Sequence, residues 1–118
     1  SLVSQLQTMR SQLELFRVQH NDTYPVLTDE DDPWGPLTKA SDRLHTTGAD
    51  EDGGDFGPYL QEDPVNPFTG TTTLGSEATD GWNYADGVLK AIFPGTESEA
   101  SELGLDTTND VIVVDPDA

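Results

Sequence analysis

The residues of this chain that could do chemistry are its carboxylates and two histidines. The sequence of 118 residues holds 23 Asp and Glu against five Lys and Arg, which gives a formal net charge of −18. Catalytic carboxylate pairs need burial to separate their pKa values, and these acids lie in hydrophilic stretches, so the sequence predicts no enzyme. His20 and His45 lack metal-ligand spacing and are predicted to be surface residues. The absence of cysteine excludes disulfides, thiolate zinc sites and cysteine nucleophiles.

Calcium is the one cofactor that such acidity suits, because hard cations prefer oxygen ligands. An EF-hand loop needs Gly at its sixth position and Glu at its twelfth. Counted from Asp50, these positions hold Asp55 and Gln61, and counted from Asp106 the sixth is Val111. Both frames fail. A site built from loop carbonyls and a few carboxylates has no sequence signature, so no metal ligand is predicted.

The basic residues are too scattered to bind nucleic acid, because phosphate contacts need clustered positive charge. They are Arg10, Arg17, Lys39, Arg43 and Lys90. The excess of acid also disfavours an anionic membrane surface. No stretch approaches the roughly 20 apolar residues of a membrane span.

A long amphipathic helix is predicted over residues 1–20. The stretch contains no Gly or Pro, and its apolar residues recur four and three residues apart, which places them on one helix face. These residues are Leu2, Leu6, Met9, Leu13 and Phe16. Asn21 is predicted to be a left-handed C-cap, and Pro25 prevents continuation. A narrow stripe indicates packing on one side only, although periodicity alone does not distinguish this helix from an ordinary core helix.

A β-hairpin is predicted over residues 82–93. Asp86 and Gly87 separate two strand-like runs, which is the signal for a type I′ turn. Trp82 and Tyr84 share one face of the first strand and are predicted to form the sheet core, packed on a helix.

Shorter elements surround the hairpin. Residues 71–74 are a candidate third strand, and residues 111–114 form either a final strand or an exposed tail. Thr96 and Glu99 match a capping box for a short helix ending at Gly104.

Residues 26–58 are dense in acids and turn formers and are predicted to be mostly loop. Within them, residues 37–44 could form two turns of helix, with Trp34 as a nearby anchor. No repeat or linker marks a boundary, so residues 1–118 are predicted to form a single α+β domain with loop-rich acidic insertions.

The order of these features resembles the pseudopilin and type IV pilin family. The closest similarity is to the major pseudopilin of type II secretion, in a planctomycete-like form. The similar segments are residues 4–16, 21–25, 58–60, 64–70 and 81–84, with the Gly87 hairpin.

The resemblance implies a pilin-like fold, with the helix packed on a small antiparallel sheet, and a structural role without catalysis. It implies that a cleaved, N-methylated, very hydrophobic segment precedes Ser1 and anchors the subunit in the inner membrane before assembly. The implied partners are copies of the subunit and other pseudopilins in a periplasmic or cell-surface filament, together with an inner-membrane assembly platform. The helix stripe is predicted to serve packing and assembly, and the filament helps to export folded proteins.

Two departures from the family pattern qualify this resemblance. Major pseudopilins often bind calcium in the loop after the hairpin, but residues 96–110 lack a matching pattern, so no ligand is transferred. The acidic region from Asp29 to Asp55 resembles an enlarged insertion with a subtype-specific surface.

Two other functions stay open from the sequence. One is a type IV pilus subunit for adhesion, motility or DNA uptake. The lack of cysteine favours the secretion class, because many such pilins close their C-terminal region with a disulfide. The other is a calcium-dependent extracellular binding module, which only the acidity suggests.

Overall fold

A computed structural model describes residues 1–28, 32–39 and 56–117. The chain is α+β, as the sequence predicts. Its elements are α1 (Leu2–Gln19), α2 (Gly35–Thr38), β1 (Trp82–Ala85), β2 (Val88–Pro94), α3 (Glu97–Glu102) and β3 (Val111–Val114). Helix α2 realises only the first part of the helix predicted over 37–44, and Lys39 is already extended. Residues 40–44 lie outside the described residues, as does His45.

Helix α1 has the bounds that its apolar pattern predicts. The five stripe residues Leu2, Leu6, Met9, Leu13 and Phe16 are at most 4% exposed. After the helix, Asn21 and Asp22 adopt left-handed conformations with φ of 57° and 62°. The Asp22 N–H donates to the Arg17 carbonyl at 2.9 Å. The predicted C-cap at Asn21 is therefore confirmed.

Strands β1 and β2 form the predicted antiparallel hairpin, with Ala85 paired to Val88 at its end. The turn residues Asp86 and Gly87 have φ of 47° and 86°. Positive φ at both central positions defines a type I′ turn, whose twist matches that of the strands.

The sheet is mixed, so the prediction of an antiparallel sheet is wrong. Strand β3 pairs with β2 in parallel, from Ala91 opposite Val111 to Pro94 opposite Val114. The physical reason is the connection over residues 95–110, which contains α3 and is long enough to return the chain to the start of β2. Residues 111–114 are thus a strand and not a tail.

The candidate third strand over 71–74 is reduced to one bridge between Leu74 and Trp82. The N–H groups of Gly81 and Trp82 both donate to the Thr73 carbonyl, at 2.8 and 3.0 Å. Because the two N–H groups share one carbonyl acceptor, they close a tight loop, and the single bridge does not extend into a β-ladder.

Helix α3 has the capping box that its sequence predicts. The Thr96 hydroxyl accepts from the Glu99 N–H, and the Glu99 carboxylate accepts from the Thr96 N–H at 3.0 Å. Gly104 follows the helix with φ of 77°. Local sequence therefore sets both ends of this short helix.

The chain forms two compact units, and the prediction of a single domain stays a prediction. The first unit comprises Ser1–Gln7 and Val65–Ala118, and the second comprises Thr8–Pro64. Buried residues of the first unit include Leu2, Leu6, Trp82, Leu89, Ile92 and Val111. Buried residues of the second include Met9, Leu13, Phe16, His20, Trp34, Leu37 and Tyr59.

The two aromatic residues predicted for the sheet core differ in burial. Trp82 is fully buried, whereas Tyr84 is only half-buried. Tyr84 lies one residue from the end of β1, beside the hairpin turn, where the sheet gives less cover.

Candidate functional site

The structure places His20 in a core, so the prediction of a surface histidine is wrong. His20 is 1% exposed, and its ring stacks on Phe16 with 3.7 Å between centroids. The rings of Phe56 and Tyr59 meet it at 5.8 and 6.0 Å. Its Nδ1 lies 2.7 Å from the Phe16 carbonyl oxygen. The missed signal is spacing, because a residue four positions after Phe16 continues the buried stripe.

A polar network lies on the exposed side of the C-terminal end of α1. The Glu14 carboxylate accepts from Arg17 Nε at 2.9 Å and from the Tyr24 hydroxyl at 2.5 Å. Arg17 also pairs with Asp22, and its guanidinium lies 5.8 Å from the Tyr24 ring centroid. The hydrogen bonds from Tyr24 and then Arg17 hold the pKa of Glu14 below its ordinary value. These contacts hold the chain that follows α1 against the helix, which is a structural role.

The loop before β3 uses its polar groups internally. Asp106 Oδ1 accepts from the N–H groups of Thr108 and Asn109 at 2.8 and 3.0 Å, and its Oδ2 accepts from Asn109 Nδ2. Backbone hydrogen bonds from Asn109 and Thr108 are the main causes that lower the Asp106 pKa. Lys90 Nζ donates to the Thr108 carbonyl at 2.9 Å. In the described ranges, no group of three or more His, Asp and Glu could hold a metal ion.

Asn66 is a structural residue that the sequence reasoning missed. It is fully buried, and its Nδ2 donates to the Gly81 and Ile92 carbonyls at 2.6 and 2.8 Å. Its Oδ1 accepts from the Phe68 and Thr69 N–H groups at 2.7 and 3.4 Å. One side chain thus joins the 66–69 turn to the β2 region. The only sequence signal was the Asn-Pro pair, which indicates a turn but not burial.

Among the described residues, apolar side chains are exposed in both units. A groove of about 450 Å³ lies in the first unit at the start of α1. It is lined by Ser1, Leu2, Val3, Pro67, Phe68, Leu103 and Leu105. In the second unit, Leu15 and Val18 of α1 are 42% and 70% exposed.

No family model matches this chain, and neither a curated protein nor a solved structure shows a significant similarity to it. No helix in ranges 1–28, 32–39 and 56–117 has the length and hydropathy of a membrane span.

Proposed function

We propose that this chain is a structural subunit of a type II secretion-like pseudopilus and that it contributes surfaces for assembly and no catalysis. The observation that carries the proposal is helix α1. Its stripe is buried within the chain, while Leu15 and Val18 stand exposed on another face. Such a helix can hold its own domain on one side and contact neighbours on the other.

The elements around the helix support the same proposal. The segments that resemble pseudopilins have structural roles here: Asn21 ends α1, Asn66 anchors the connector, and Trp82 is buried at the start of the hairpin. These three segments thus have roles in folding, and we assign the contacts with partners to the outer surfaces. The network at Glu14 likewise serves structure.

The direct test uses the complete gene product in its native host. We expect immunogold labelling to place this chain along a filament, and deletion of its gene to stop export of folded proteins. Filaments and export that persist unchanged without the gene would overturn the proposal.

Genetic context separates the secretion subunit from a type IV pilin. We expect genes for a secretin and an assembly ATPase beside secretion genes. A retraction ATPase beside adhesins would instead favour the pilus subunit.

A further inference from the structure

We propose that the outer edge of strand β3 is a docking site for an extended segment of another protein, with apolar residues in its middle and Lys or Arg at its ends. The segment adds a fourth strand to the sheet, beside β3. This inference goes beyond the proposed function, because it assigns a partner of opposite charge to a surface made of backbone groups.

The backbone of β3 is bonded on one side only. The Gly95 N–H donates to the Val114 carbonyl at 2.9 Å, and the parallel register places Phe93 opposite Val113. In such a ladder every second residue bonds the neighbouring strand, so Ile112 and Val114 turn their polar groups toward β2 and Val113 turns its N–H and C=O away. In the part of the chain that the structure describes, no hydrogen bond reaches these two groups from the outer side.

The same alternation turns the Val111 carbonyl outward as well. The Val111 N–H is already engaged, because it donates to the Asp106 carbonyl at 3.0 Å. The outer edge thus offers one donor, the Val113 N–H, and two acceptors, the carbonyls of Val111 and Val113. A row of unpaired backbone groups is a template for one more strand.

The opposite edge of the sheet is closed by the chain itself. At β1, the Trp82 N–H donates to the Thr73 carbonyl at 3.0 Å, and the Gly75 N–H donates to the Trp82 carbonyl at 2.9 Å. Asn83 Nδ2 adds a bond to the Gly75 carbonyl at 3.1 Å. Strand β3 has no comparable cover among the described residues, and its sequence Val-Ile-Val-Val contains no Pro or charge to blunt the edge. The edge that is open to a partner is therefore β3.

The side chains of β3 set the chemistry of the middle of the partner segment. All four are β-branched or aliphatic, and all but the buried Val111 are partly exposed. Successive side chains point to opposite faces of the sheet, and cross-strand neighbours on one face stabilise the pairing. Apolar residues in the added strand extend the apolar surface of β3.

The charges beside β3 set the chemistry of the ends of the segment. Asp115 and Asp117 follow the strand, and both are exposed. Asp115 Oδ1 accepts from the Asp117 N–H at 2.9 Å, which leaves its charge without a counter-ion. The ion pairs of the described residues lie elsewhere, at Arg17 and Lys39. Residues 65–118 hold a single basic residue, Lys90, whose Nζ donates to the Thr108 carbonyl.

This charge selects a basic segment over a second copy of the chain. Each copy carries a net charge of −18 and brings the same acids to its own β3. Acids that flank an apolar strand protect it against pairing with an equally acidic strand. They attract a strand whose ends carry Lys or Arg, because opposite potentials then meet across the contact.

A peptide titration followed by NMR tests the proposal on the chain of residues 1–118. The probe is an eight-residue peptide of alternating Thr and Val with a Lys at each end, added at low salt. We expect the Val113 N–H signal to shift and its hydrogen exchange to slow about tenfold near saturation, because the N–H gains an acceptor. The Trp82 N–H, on the closed edge, should exchange at an unchanged rate.

A proline placed at position 113 removes only the outward donor, since the N–H groups of Ile112 and Val114 make the bonds to β2. Val113→Pro should weaken binding of the peptide about tenfold. Val113→Thr keeps the N–H and should bind as the parent chain does. A peptide with Glu in place of both Lys should bind at least about tenfold more weakly, and added salt should narrow that difference.

Circular dichroism verifies that each variant is folded. Should Val113→Pro fail to fold, a peptide with Pro in place of its central Val makes the same test from the other side, and it should bind more weakly to the parent chain. Equal binding of the Lys and Glu peptides, or equal binding of the peptides with Val and with Pro, would overturn the proposal. A Val113 signal that moves with protein concentration and not with peptide would also overturn it, because the occupant would then be a second copy.

Discussion

The two compact units of this chain differ in the interactions that stabilise each of them internally. In the first unit, strands β1 to β3 share backbone hydrogen bonds, and Asn66 adds four more from one buried side chain. In the second, the described core includes a cluster of rings, in which His20 stacks on Phe16 and meets Phe56 and Tyr59 edge-on. Because only 33% of the chain is hydrophobic, a few large side chains must supply much of the burial.

This difference makes the two units respond differently to a cavity. A ladder of strands relaxes little when a core atom is removed, whereas irregular segments can move inward to fill part of the space. The units thus allow the same kind of substitution to be compared within one molecule.

The largest expected effect comes from paired cavities in α1. Leu6 is buried in the first unit and Leu13 in the second, at 0% and 2% exposure. Leu6→Ala and Leu13→Ala should each lower the free energy of unfolding by about 2–5 kcal/mol, with Leu6→Ala the more costly. Urea unfolding followed by circular dichroism measures both.

The exposed residue Val18 supplies the control for this pair. Val18→Ala has the same helical context and should change the free energy of unfolding by less than about 0.5 kcal/mol. Equal losses for Leu6→Ala and Leu13→Ala would show that the two cores relax alike and would break the comparison.

The next effect is polar and confined to the first unit. Asn66→Leu removes the buried side-chain donor to the Gly81 and Ile92 carbonyls, of which Gly81 keeps the bond from the Ile92 N–H, and should cost about 1–3 kcal/mol. Hydrogen exchange should then accelerate at Phe68, whose N–H loses its acceptor, before it changes at residues of the second unit. Unchanged exchange at Phe68 would contradict the role assigned to Asn66.

The elements that sequence predicted best are those set by neighbours along the chain. Asp86-Gly87 dictates its turn through positive φ, and the Thr96-Glu99 box satisfies its own N–H groups. The parallel direction of β3 depends instead on where a sixteen-residue connection returns, over residues 95–110, which no local pattern encodes.

The candidate surfaces also include one that local sequence predicts and one that only the fold creates. The buried stripe of α1 follows from spacing, but the groove depends on Phe68 and Leu103, which are distant in sequence and brought to one place only by the fold. His20 is an intermediate case. Its spacing from Phe16 is visible in the sequence, whereas its contacts with the rings in residues 56–59 depend on the fold.

A smaller effect concerns the loop before β3, and a calcium titration of the parent chain tests whether this loop needs a metal. Lys90→Met removes the donor to the Thr108 carbonyl and should lower the free energy of unfolding by about 0.5–1.5 kcal/mol. Because Asp106 is already bonded to its own loop, calcium or a chelator should leave the melting temperature of the parent chain unchanged. A rise in melting temperature with calcium would support the binding-module alternative.

The smallest effect is the pH dependence that arises at the end of α1. The pKa of Glu14 in the folded chain lies below its ordinary value of 4.5, because the carboxylate accepts from Tyr24 and Arg17. The folded state then binds fewer protons than the unfolded one, so this contribution is present above pH 4.5 and is lost as pH falls through the folded pKa. Glu14→Gln should therefore flatten the acid side of the melting curve plotted against pH. An acid side that is as steep in Glu14→Gln as in the parent chain would show that this network does not contribute to the acid sensitivity.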